Sequence, residues 1–327
     1  MKEPMKLLQI MAPGEVEWRD APTPEPGPGE VLLEVRTVNT CPHWDLHLMD
    51  GVPMFPGAKL DYPYTPGQPG HEAAGVIKAV GPGVEHLAPG RRVACWKDAG
   101  HNRQGCYAQY VVMAAEHVLP LPDHVTWEQA CSLELAMCVH VSFEQLMRFG
   151  PLEGKRVGVG GLGAAGIVAV QIARALGAAE VVGVDPLPER RDLARQVGAT
   201  RVVDPARKDD WPAGRRNATA VDVAVDCTGL KASIEFLMDR ARQAVTIFGV
   251  LRENVSFAPR HWGGMALLGY ESHRRSAAEA ALALIAAGKL DLSPLIGARL
   301  PFTEYLRGVE MLRRKEAIKV CFLPWGE

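Results

Sequence analysis

Four side chains that can bind a metal ion or carry a proton stand close together in the segment TCPHWDLHLMDG, residues 40–51. They are Cys41, His43, Asp45 and His47. Thiolate and imidazole are ligands that zinc prefers, and histidine can also relay a proton near neutral pH. A second polar group follows in PGHEAAG, which contains His71 and Glu72. The residue types alone leave two interpretations open: a metal centre, or a loop that is rich in polar residues.

A glycine-rich sequence in the second half of the chain predicts a dinucleotide site. The apolar run RVGVGG leads into Gly161-Leu162-Gly163-Ala164-Ala165-Gly166 and then into a helical pattern. In this setting the first glycine allows a tight turn, the second lets a pyrophosphate approach the backbone, and the third lets the helix pack closely on the strand. The phosphates then meet the free N–H groups of the helix N-terminus. A βαβ unit without a ligand is the alternative.

The residues after this motif bear on the choice of cofactor. The next strand, EVVGVD, ends in Asp185, whose carboxylate can accept hydrogen bonds from the ribose hydroxyls and repel a 2′-phosphate. That favours NAD over NADP, although Arg190 and Arg191 follow and could instead accept the phosphate. The turns that end two later strands should border the cofactor, because ligands in such sheets lie at the carboxyl ends of strands. Their residues are Thr228 in the first turn and Phe248, Gly249 and Val250 in the second.

The elements that must position these residues fall into two domains. Before residue 150, short β-rich runs such as EVLLEVRTV and RRVACW alternate with Pro/Gly turns, which predicts a strand-rich, partly barrel-like domain. After Gly150, strands alternate with helices, which predicts an α/β domain with a doubly wound parallel sheet. A helix over TWEQACSLELAMCVHVSFEQLMRF precedes it, with Thr126 as N-cap and Gly150 as its stop. At 327 residues the chain is also longer than one core usually supports.

The composition excludes several classes of function. Apolar residues make up 47% and charged residues 23%, which are ordinary values for a globular enzyme. A net charge of −2 gives no electrostatic footprint for nucleic acid or an anionic membrane, so neither is expected as a partner. No apolar run is long enough to span a bilayer. Seven scattered cysteines without a secretory signal predict reduced thiols and a cytoplasmic protein.

Together these motifs resemble the medium-chain dehydrogenase/reductases of the zinc-dependent alcohol dehydrogenase type. The resemblance covers nearly the whole chain and is carried by PGHEAAGVIKAVGPGVEHLAPGRRV, GCYAQYVV, the glycine-rich segment and the ending AIKVCFLP. It implies a GroES-like catalytic domain, residues 1–135 and 272–327, and a Rossmann domain, residues 136–271. It also implies a small-molecule alcohol or carbonyl substrate and a homodimer or homotetramer.

The resemblance further implies one catalytic zinc ion per chain. Cys41 and His71 match the first two ligands of the family, and Glu134 in LELAMCVHV matches the third ligand of its polyol-dehydrogenase branch. Glu72 would approach the metal from behind and exchange with a bound water. The family's second, structural zinc needs four closely spaced cysteines, and the corresponding segment VACWKDAGHNRQGCYAQY contains only two. That second zinc is predicted to be absent.

The first ligand segment departs from the family pattern. Its spacing from Cys41 to Asp45 is one residue longer than in Cys-x-x-Asp-x-His, and the usual Ser or Thr proton relay is missing. His43 becomes a candidate relay or replacement ligand. Asp45 is expected to orient the loop or a ligand histidine, and His47 matches the distal relay.

The chemistry that the resemblance implies is hydride transfer between an alcohol carbon and a nicotinamide, with zinc as a Lewis acid on the substrate oxygen. Lys319, in AIKV, matches a cation near the cofactor phosphates, and a solvated lysine in a closing strand is the alternative. The loops that should line an apolar, aromatic-tolerant pocket contain Trp44, Met54, Phe55 and Trp96. The alternative is that some of these residues belong to the core, as large aromatic side chains usually do.

Two other functions stay open at this point. One is a zinc-free quinone or enoyl reductase of the same fold, which the longer ligand segment favours. Cys41, Glu72 and Asp185 argue against it, because such reductases generally lack this pattern and tend to use NADPH. The other is a nucleotide-binding protein without turnover, supported only by the altered relay segment.

Overall fold

The computed structural model describes residues 4–55 and 57–326, and the chain divides into two compact units. The first unit comprises Met1–Leu135 and Asp291–Glu327, and the second comprises Ala136–Leu290. The strands are β1 Pro4–Ala12, β2 Glu15–Pro22, β3 Glu30–Asn39, β4 Glu72–Val80, β5 Arg92–Cys95, β6 Tyr110–Ala114, β7 Val118–Pro120, β8 Arg156–Gly160, β9 Glu180–Val184, β10 Arg201–Val203, β11 Val221–Asp226, β12 Ala241–Ile247, β13 Ala266–Gly269, β14 Ile296–Pro301 and β15 Lys319–Leu323. The α-helices are α1 Pro42–Met49, α2 Trp127–Ala130, α3 Leu133–Met147, α4 Ala164–Ala175, α5 Pro188–Gln196, α6 Lys231–Met238, α7 Arg275–Ala286 and α8 Tyr305–Arg313.

The second unit ends at Leu290, beyond the predicted domain end at residue 271. Helix α7 lies within this unit, and the segment before it is tied to α3 by side chains. Arg274 Nη1 lies 3.1 Å from Glu144 Oε2, and the Gln145 amide donates to the Gly269 carbonyl at 2.7 Å. The bounds that the resemblance implies would assign α7 to the first domain, and they stay a prediction.

A seven-stranded sheet forms the centre of the first unit. Its order is β14-β15-β3-β4-β5-β7, with β6 also pairing with β3 and with β1 and β2 forming a separate hairpin. Strand β3 lies near the middle of this sheet, and its apolar residues are buried, Leu33 and Val35 completely. Asn39 at its end pairs with Glu72 of β4 on one side and with Cys321 of β15 on the other. Residues far apart in the chain therefore meet where β3 ends.

The second unit contains a six-stranded, all-parallel sheet in the order β10-β9-β8-β11-β12-β13. The predicted doubly wound parallel sheet is confirmed. The strand order reverses between β8 and β11, which is where such sheets bind ligands at their carboxyl ends. Strand β13, four residues long and only partly buried, was not predicted.

The helix predicted before the glycine-rich motif is two helices, α2 and α3. Thr126 caps α2 as predicted, in a capping box in which its side chain and that of Gln129 bind each other's backbone N–H groups. At the break, the Cys131 thiol donates to the Glu72 carbonyl at 3.3 Å, and the Ser132 hydroxyl accepts from the Asn39 amide at 2.9 Å. In the part of the chain that the structure describes, no helix combines the length and apolar character needed to cross a bilayer.

Candidate functional site

The side chains of Cys41, His71 and Glu72 converge in the first unit. One possible ligand atom of each lies within 4.8 Å of the other two. They meet because Cys41 follows the end of β3 and Glu72 begins the neighbouring antiparallel β4. His71 Nδ1 lies 2.7 Å from the carbonyl of Pro69 and must donate to it, since a carbonyl only accepts. That tautomer leaves Nε2 as the nitrogen able to bind a metal ion.

Two carboxylates face this nitrogen. Glu134, in the first turn of α3, places Oε2 at 3.7 Å from His71 Nε2, and Glu72 places Oε1 at 4.0 Å. Glu72 Oε2 is buried and has no hydrogen-bond partner among the residues that the structure describes. A buried, unsatisfied acceptor is costly, and a cation would satisfy it. Thiolate, imidazole and carboxylate are the donors of a catalytic zinc site, so these residues fit that metal.

The surroundings of His71 favour a positive charge. Burial alone would lower the pKa of this imidazole. The hydrogen bond with Cys41 and the charges of Glu134, Cys41 and Glu72 outweigh that effect, and the pKa is raised well above its ordinary 6.5. The same groups that stabilise a proton at this imidazole would stabilise a divalent cation.

Lys319 is buried at this cluster. Its ammonium lies 2.5 Å from Glu72 Oε1 and 2.7 Å from the Thr40 carbonyl, because β15 pairs with β3 beside the ligand segment. Burial lowers the pKa of the ammonium, but Glu72 in particular raises it, and the net result lies above the ordinary 10.5. Lys319 is thus a buried amine paired with Glu72, and its role near the cofactor phosphates stays a prediction.

A Lys319→Met variant tests this arrangement. It keeps much of the side-chain volume but leaves the Glu72 carboxylate buried without a cation. We expect the metal-free protein to lose about 3–5 kcal/mol of stability, as when one partner of a buried ion pair is removed. The zinc-loaded protein should lose much less, because the metal would supply the missing charge.

Urea unfolding with and without a chelator measures the two losses. Lys78→Met is the matched control, because Lys78 forms a half-exposed pair with Glu34 at 3.5 Å, and its loss should be small in both forms. Equal losses for Lys319→Met in the two forms would show that the ammonium and the metal do not share Glu72.

From a buried position, Asp45 anchors the segment that carries Cys41. Its fully buried carboxylate accepts hydrogen bonds from the Cys41 N–H at 2.8 Å, the Tyr107 hydroxyl at 2.8 Å and the Tyr305 hydroxyl at 2.7 Å. Burial raises the pKa of Asp45 to about 6, although these donors pull it down. The contact with the Cys41 N–H fixes the segment that carries the predicted thiol ligand. Sequence reasoning missed both tyrosines, although a buried tyrosine hydroxyl usually needs a partner.

The predicted relay residues lie on a helix rather than on a loop. Helix α1 has Cys41 as N-cap and a proline in its first turn, where proline is tolerated. His43 and His47 are four residues apart, and their ring centroids lie 6.1 Å apart. His43 is exposed, and His47 Nδ1 lies 3.0 Å from the Val52 carbonyl. Their relay roles stay predictions.

The aromatic residues that were expected to line a pocket occupy different environments. Trp96 is buried, and its indole donates to the Glu116 carbonyl at 2.7 Å, so it belongs to the core. Trp44 packs against Phe55 and His101, with ring centroids 5.9 and 5.4 Å apart. Only this second group remains a candidate pocket wall.

The glycine-rich turn between β8 and α4 has the geometry that a pyrophosphate site needs. A Cβ on Gly166 would lie 1.8 Å from the Gly161 carbonyl oxygen, so glycine is required for α4 to start this close to the strand. Gly163 is the N-cap of α4, and a Cβ there would have no heavy atom within 4 Å. This open side of the helix N-terminus is where a phosphate could approach.

Asp185 is tied to the same turn. Its carboxylate accepts from the Leu162 N–H at 2.8 Å and from the Leu187 N–H at 2.9 Å. Arg191 donates to the Asp185 carbonyl at 2.6 Å. Arg190 has a buried Nη1 without a partner in the described part of the chain, and burial lowers its pKa. Of the two arginines, Arg190 therefore has the spare donor near the carboxylate.

The turns after β11 and β12 lie against each other. A Cβ on Gly249 would lie 2.0 Å from the Gly229 nitrogen, and one on Gly229 would lie 2.2 Å from the Val250 carbonyl oxygen. The Phe248 N–H donates to the Asp226 carbonyl at 2.8 Å. The predicted residues of both turns thus form one surface at the carboxyl edge of the sheet.

Asp226 organises the first of these turns and was not predicted. Its buried carboxylate accepts from the Thr228 hydroxyl at 2.8 Å, the Gly229 N–H at 2.7 Å and the Ser233 hydroxyl at 2.6 Å. Burial raises the pKa of Asp226, and these donors offset part of that rise. The position of Asp226 just before Thr228 was the available signal, since Asp side chains often bind backbone N–H groups of a following turn.

Two protein-family models match this chain, one within each unit. The alcohol dehydrogenase GroES-like domain model matches residues 27–123, and the zinc-binding dehydrogenase model matches residues 164–286. An alcohol dehydrogenase from Geobacillus stearothermophilus is 30% identical over 90% of this chain and 93% of its own length. An L-threonine 3-dehydrogenase from Anaeromyxobacter sp. (strain Fw109-5) is 30% identical over 98% of this chain and all of its own length.

A solved structure extends the similarity to the fold. A protein from Sinorhizobium meliloti 1021 described as a zinc-binding dehydrogenase and bound to NADP has a TM-score of 0.81 and 26% identity. The match covers 99% of this chain and 100% of that one. The similarity therefore includes both units.

Proposed function

This chain belongs to the zinc-binding alcohol dehydrogenase family, and from that premise we propose which of its residues carry the chemistry. It is an oxidoreductase that interconverts an alcohol and an aldehyde or ketone with a nicotinamide cofactor. The observation that supports our assignment is the convergence of Cys41, His71, Glu72 and Glu134 in the first unit. Grouping a thiol, an imidazole and two carboxylates in a largely buried place costs free energy unless a cation binds them.

Cys41, His71 and Glu134 would hold one zinc ion per chain, and Glu72 would exchange with a bound water. When bound, the metal supplies Lewis-acid polarisation of the substrate oxygen. The other residues hold this arrangement: Asp45 fixes the Cys41 segment, and Lys319 offsets the charge of Glu72. His43 and His47 are proposed to carry the alcohol proton along α1, one helical turn apart.

We propose NAD as the preferred cofactor. The support is Asp185, whose carboxylate lies at the end of β9 against the glycine-rich turn and would repel a 2′-phosphate. The unsatisfied Nη1 of Arg190 limits that preference, because it is a donor that such a phosphate could use. The ratio of kcat/KM for NAD⁺ to that for NADP⁺ should exceed one and should fall in an Asp185→Ala variant.

Two glycine variants separate cofactor binding from folding. Gly163→Ala should leave stability nearly unchanged, because a methyl group there meets open space, yet it should weaken NADH binding by about tenfold or more if the pyrophosphate uses that space. Gly166→Ala should destabilise the second unit, because its methyl group would clash with the Gly161 carbonyl. NADH fluorescence titration and thermal unfolding measure the two effects. Unchanged NADH affinity in Gly163→Ala would remove the turn from the cofactor site.

Metal analysis and a substrate panel test the whole assignment. Purified protein should contain about one zinc per chain. NAD⁺ reduction should be seen with at least one primary, secondary or polyol alcohol, and it should stop when a chelator removes the metal. The half-exposed aromatic group around Trp44 and Phe55 leads us to expect apolar or aromatic alcohols among the best substrates. Full activity in metal-free protein toward quinones or enones would support the zinc-free reductase instead.

The assembly and location of the enzyme are also proposals. The family resemblance suggests a homodimer or homotetramer, which light scattering can measure. All seven cysteines are free thiols in the structure, which is compatible with the cytoplasmic location that we propose.

A further inference from the structure

A groove of about 880 Å³ lies in the second unit, and the proposed function does not use it. Its walls come from residues 213–217, 239–242 and 259–263, which precede or begin strands β11, β12 and β13. Because these strands are parallel, the groove lies at the amino-terminal edge of the sheet. The glycine-rich turn lies at the opposite, carboxyl edge, so the groove is separate from the candidate dinucleotide site.

Arg215 fixes the walls of the groove relative to one another. Its guanidinium donates to the carbonyl of Ala241 at 2.9 Å, to that of Arg242 at 2.6 Å, and to those of Arg260, His261 and Gly263 at 3.3 Å each. One side chain thereby joins all three walls. His261, which is fully buried, adds a hydrogen bond to Asp239 at 2.8 Å. A groove fixed in this way is preformed, which reduces the entropic cost of binding a ligand.

The lining is strongly basic. Four arginines line the groove: Arg215, Arg216, Arg242 and Arg260. Asp239 is the single carboxylate in the lining. That carboxylate is occupied by Arg260 and His261, and Arg242 pairs with Asp222 outside the lining at 3.1 Å. Burial and then the charge of Arg216 lower the pKa of Arg215, which shows how closely the positive charges are placed.

Two lining residues have unused binding capacity. Arg216 is exposed and has no hydrogen-bond or ion-pair partner in the described part of the chain. Trp262 is 86% exposed, the highest value among the large hydrophobic side chains that the structure describes. The Trp262 indole and the Arg216 guanidinium line the same groove and suit a planar, negatively charged ligand, because a ring can stack on the indole while the anion pairs with the guanidinium.

We propose that this groove binds a small organic anion in which a planar ring is joined to a phosphate. The ring would stack on Trp262, and the phosphate would pair with Arg216, with Arg260 and Arg242 on the facing walls. A nucleotide and an aryl phosphate share this chemistry. The site is additional to the alcohol dehydrogenase site and does not depend on it.

The test uses the whole protein saturated with NAD⁺, so that the candidate cofactor site is filled. Phenyl phosphate, AMP and inorganic phosphate are titrated separately by calorimetry, and the fluorescence difference between wild type and Trp262→Phe reports on that one indole. Phenyl phosphate or AMP should bind with a Kd of about 1 mM or tighter and quench Trp262, and inorganic phosphate should bind at least several-fold more weakly. The stronger of the two ring-bearing probes identifies the source of the ligand.

Arg216→Ala should raise the Kd of the ring-bearing probe by about tenfold, and Trp262→Ala should raise it by a similar factor. Arg195→Ala is the matched control, because Arg195 is an exposed arginine of the same unit, on α5 and outside the groove, and it should leave binding unchanged. Absence of binding, or binding that survives Arg216→Ala, would overturn the proposal. So would a concentration-dependent blue shift of Trp262 without any ligand, because a second copy of the chain would then cover the groove.

Discussion

The Cys41→Ala variant is expected to contain less than about a tenth of the zinc of the wild type and to oxidise alcohols about 10³–10⁴-fold more slowly. Cys41 is the sulfur ligand of the proposed set, and the nitrogen and oxygen ligands that remain hold zinc less firmly in a tetrahedral site. The loss of rate corresponds to about 4–5.5 kcal/mol, which is the size expected when Lewis-acid stabilisation of the substrate oxygen disappears. Metal analysis and NADH absorbance give the two values independently.

A matched control is available in the same unit. Cys106 is buried in the core and is not among the ligand atoms that converge at His71, so Cys106→Ala should keep its zinc. Cys41→Ala protein that unfolds like the wild type in the presence of a chelator but lacks zinc would locate the defect in the site. Full zinc content in Cys41→Ala would refute the assignment of the thiol.

The two carboxylates can be distinguished in the same experiment. Their distances to His71 Nε2 differ by only 0.3 Å, from 3.7 to 4.0 Å, so geometry alone does not rank them. Their environments differ, because Glu72 is already paired with Lys319. Glu134→Gln should therefore lose most of its metal, whereas Glu72→Gln should retain it and turn over more slowly.

The fold was largely predictable from the sequence because its strongest signals are local. The alternation of Val-rich runs with helical segments after Gly150 reproduces the order of β8, α4, β9, α5, β10, β11, α6 and β12. The break between α2 and α3 was not predictable, since it depends on bonds from Cys131 and Ser132 to strands that lie about 60 to 90 positions earlier. Strand β13 was missed because four residues, none of them fully buried, carry too little periodicity.

The site was predictable only where a motif fixed it. Cys41, His71 and Glu134 were proposed from the family pattern, and they lie close together. The contacts of Lys319 were not predictable, because its neighbour in space, Thr40, lies 279 positions away in the chain, and only the pairing of β15 with β3 brings them together. Tyr305 and Asp45 meet for the same kind of reason, which no local pattern could show.

The second large effect is expected at Asp45. In an Asp45→Ala variant the buried hydroxyls of Tyr107 and Tyr305 and the N–H of Cys41 all lose their acceptor. Each unsatisfied buried donor costs about 1–3 kcal/mol, so we expect a total loss of about 3–5 kcal/mol after some rearrangement. Because the Cys41 segment also loses its anchor, zinc affinity should fall about 10–100-fold. Urea unfolding of the metal-free protein and competition with a chelator measure the two quantities.

A combined variant shows whether the donors left without an acceptor cause the stability loss of Asp45→Ala. Tyr107→Phe and Tyr305→Phe should each destabilise the wild type by about 1 kcal/mol, since each removes one hydrogen bond to Asp45. In the Asp45→Ala background the same two substitutions should be neutral or stabilising, because they remove donors that have no acceptor. Asp192, an exposed carboxylate on α5, supplies the control, and its replacement by alanine should have little effect. If the stability losses of Asp45→Ala and of the two Tyr→Phe substitutions were strictly additive, Asp45 would stabilise the segment through packing alone. Asp45→Leu, which fills the space without accepting a hydrogen bond, should then nearly restore the zinc affinity.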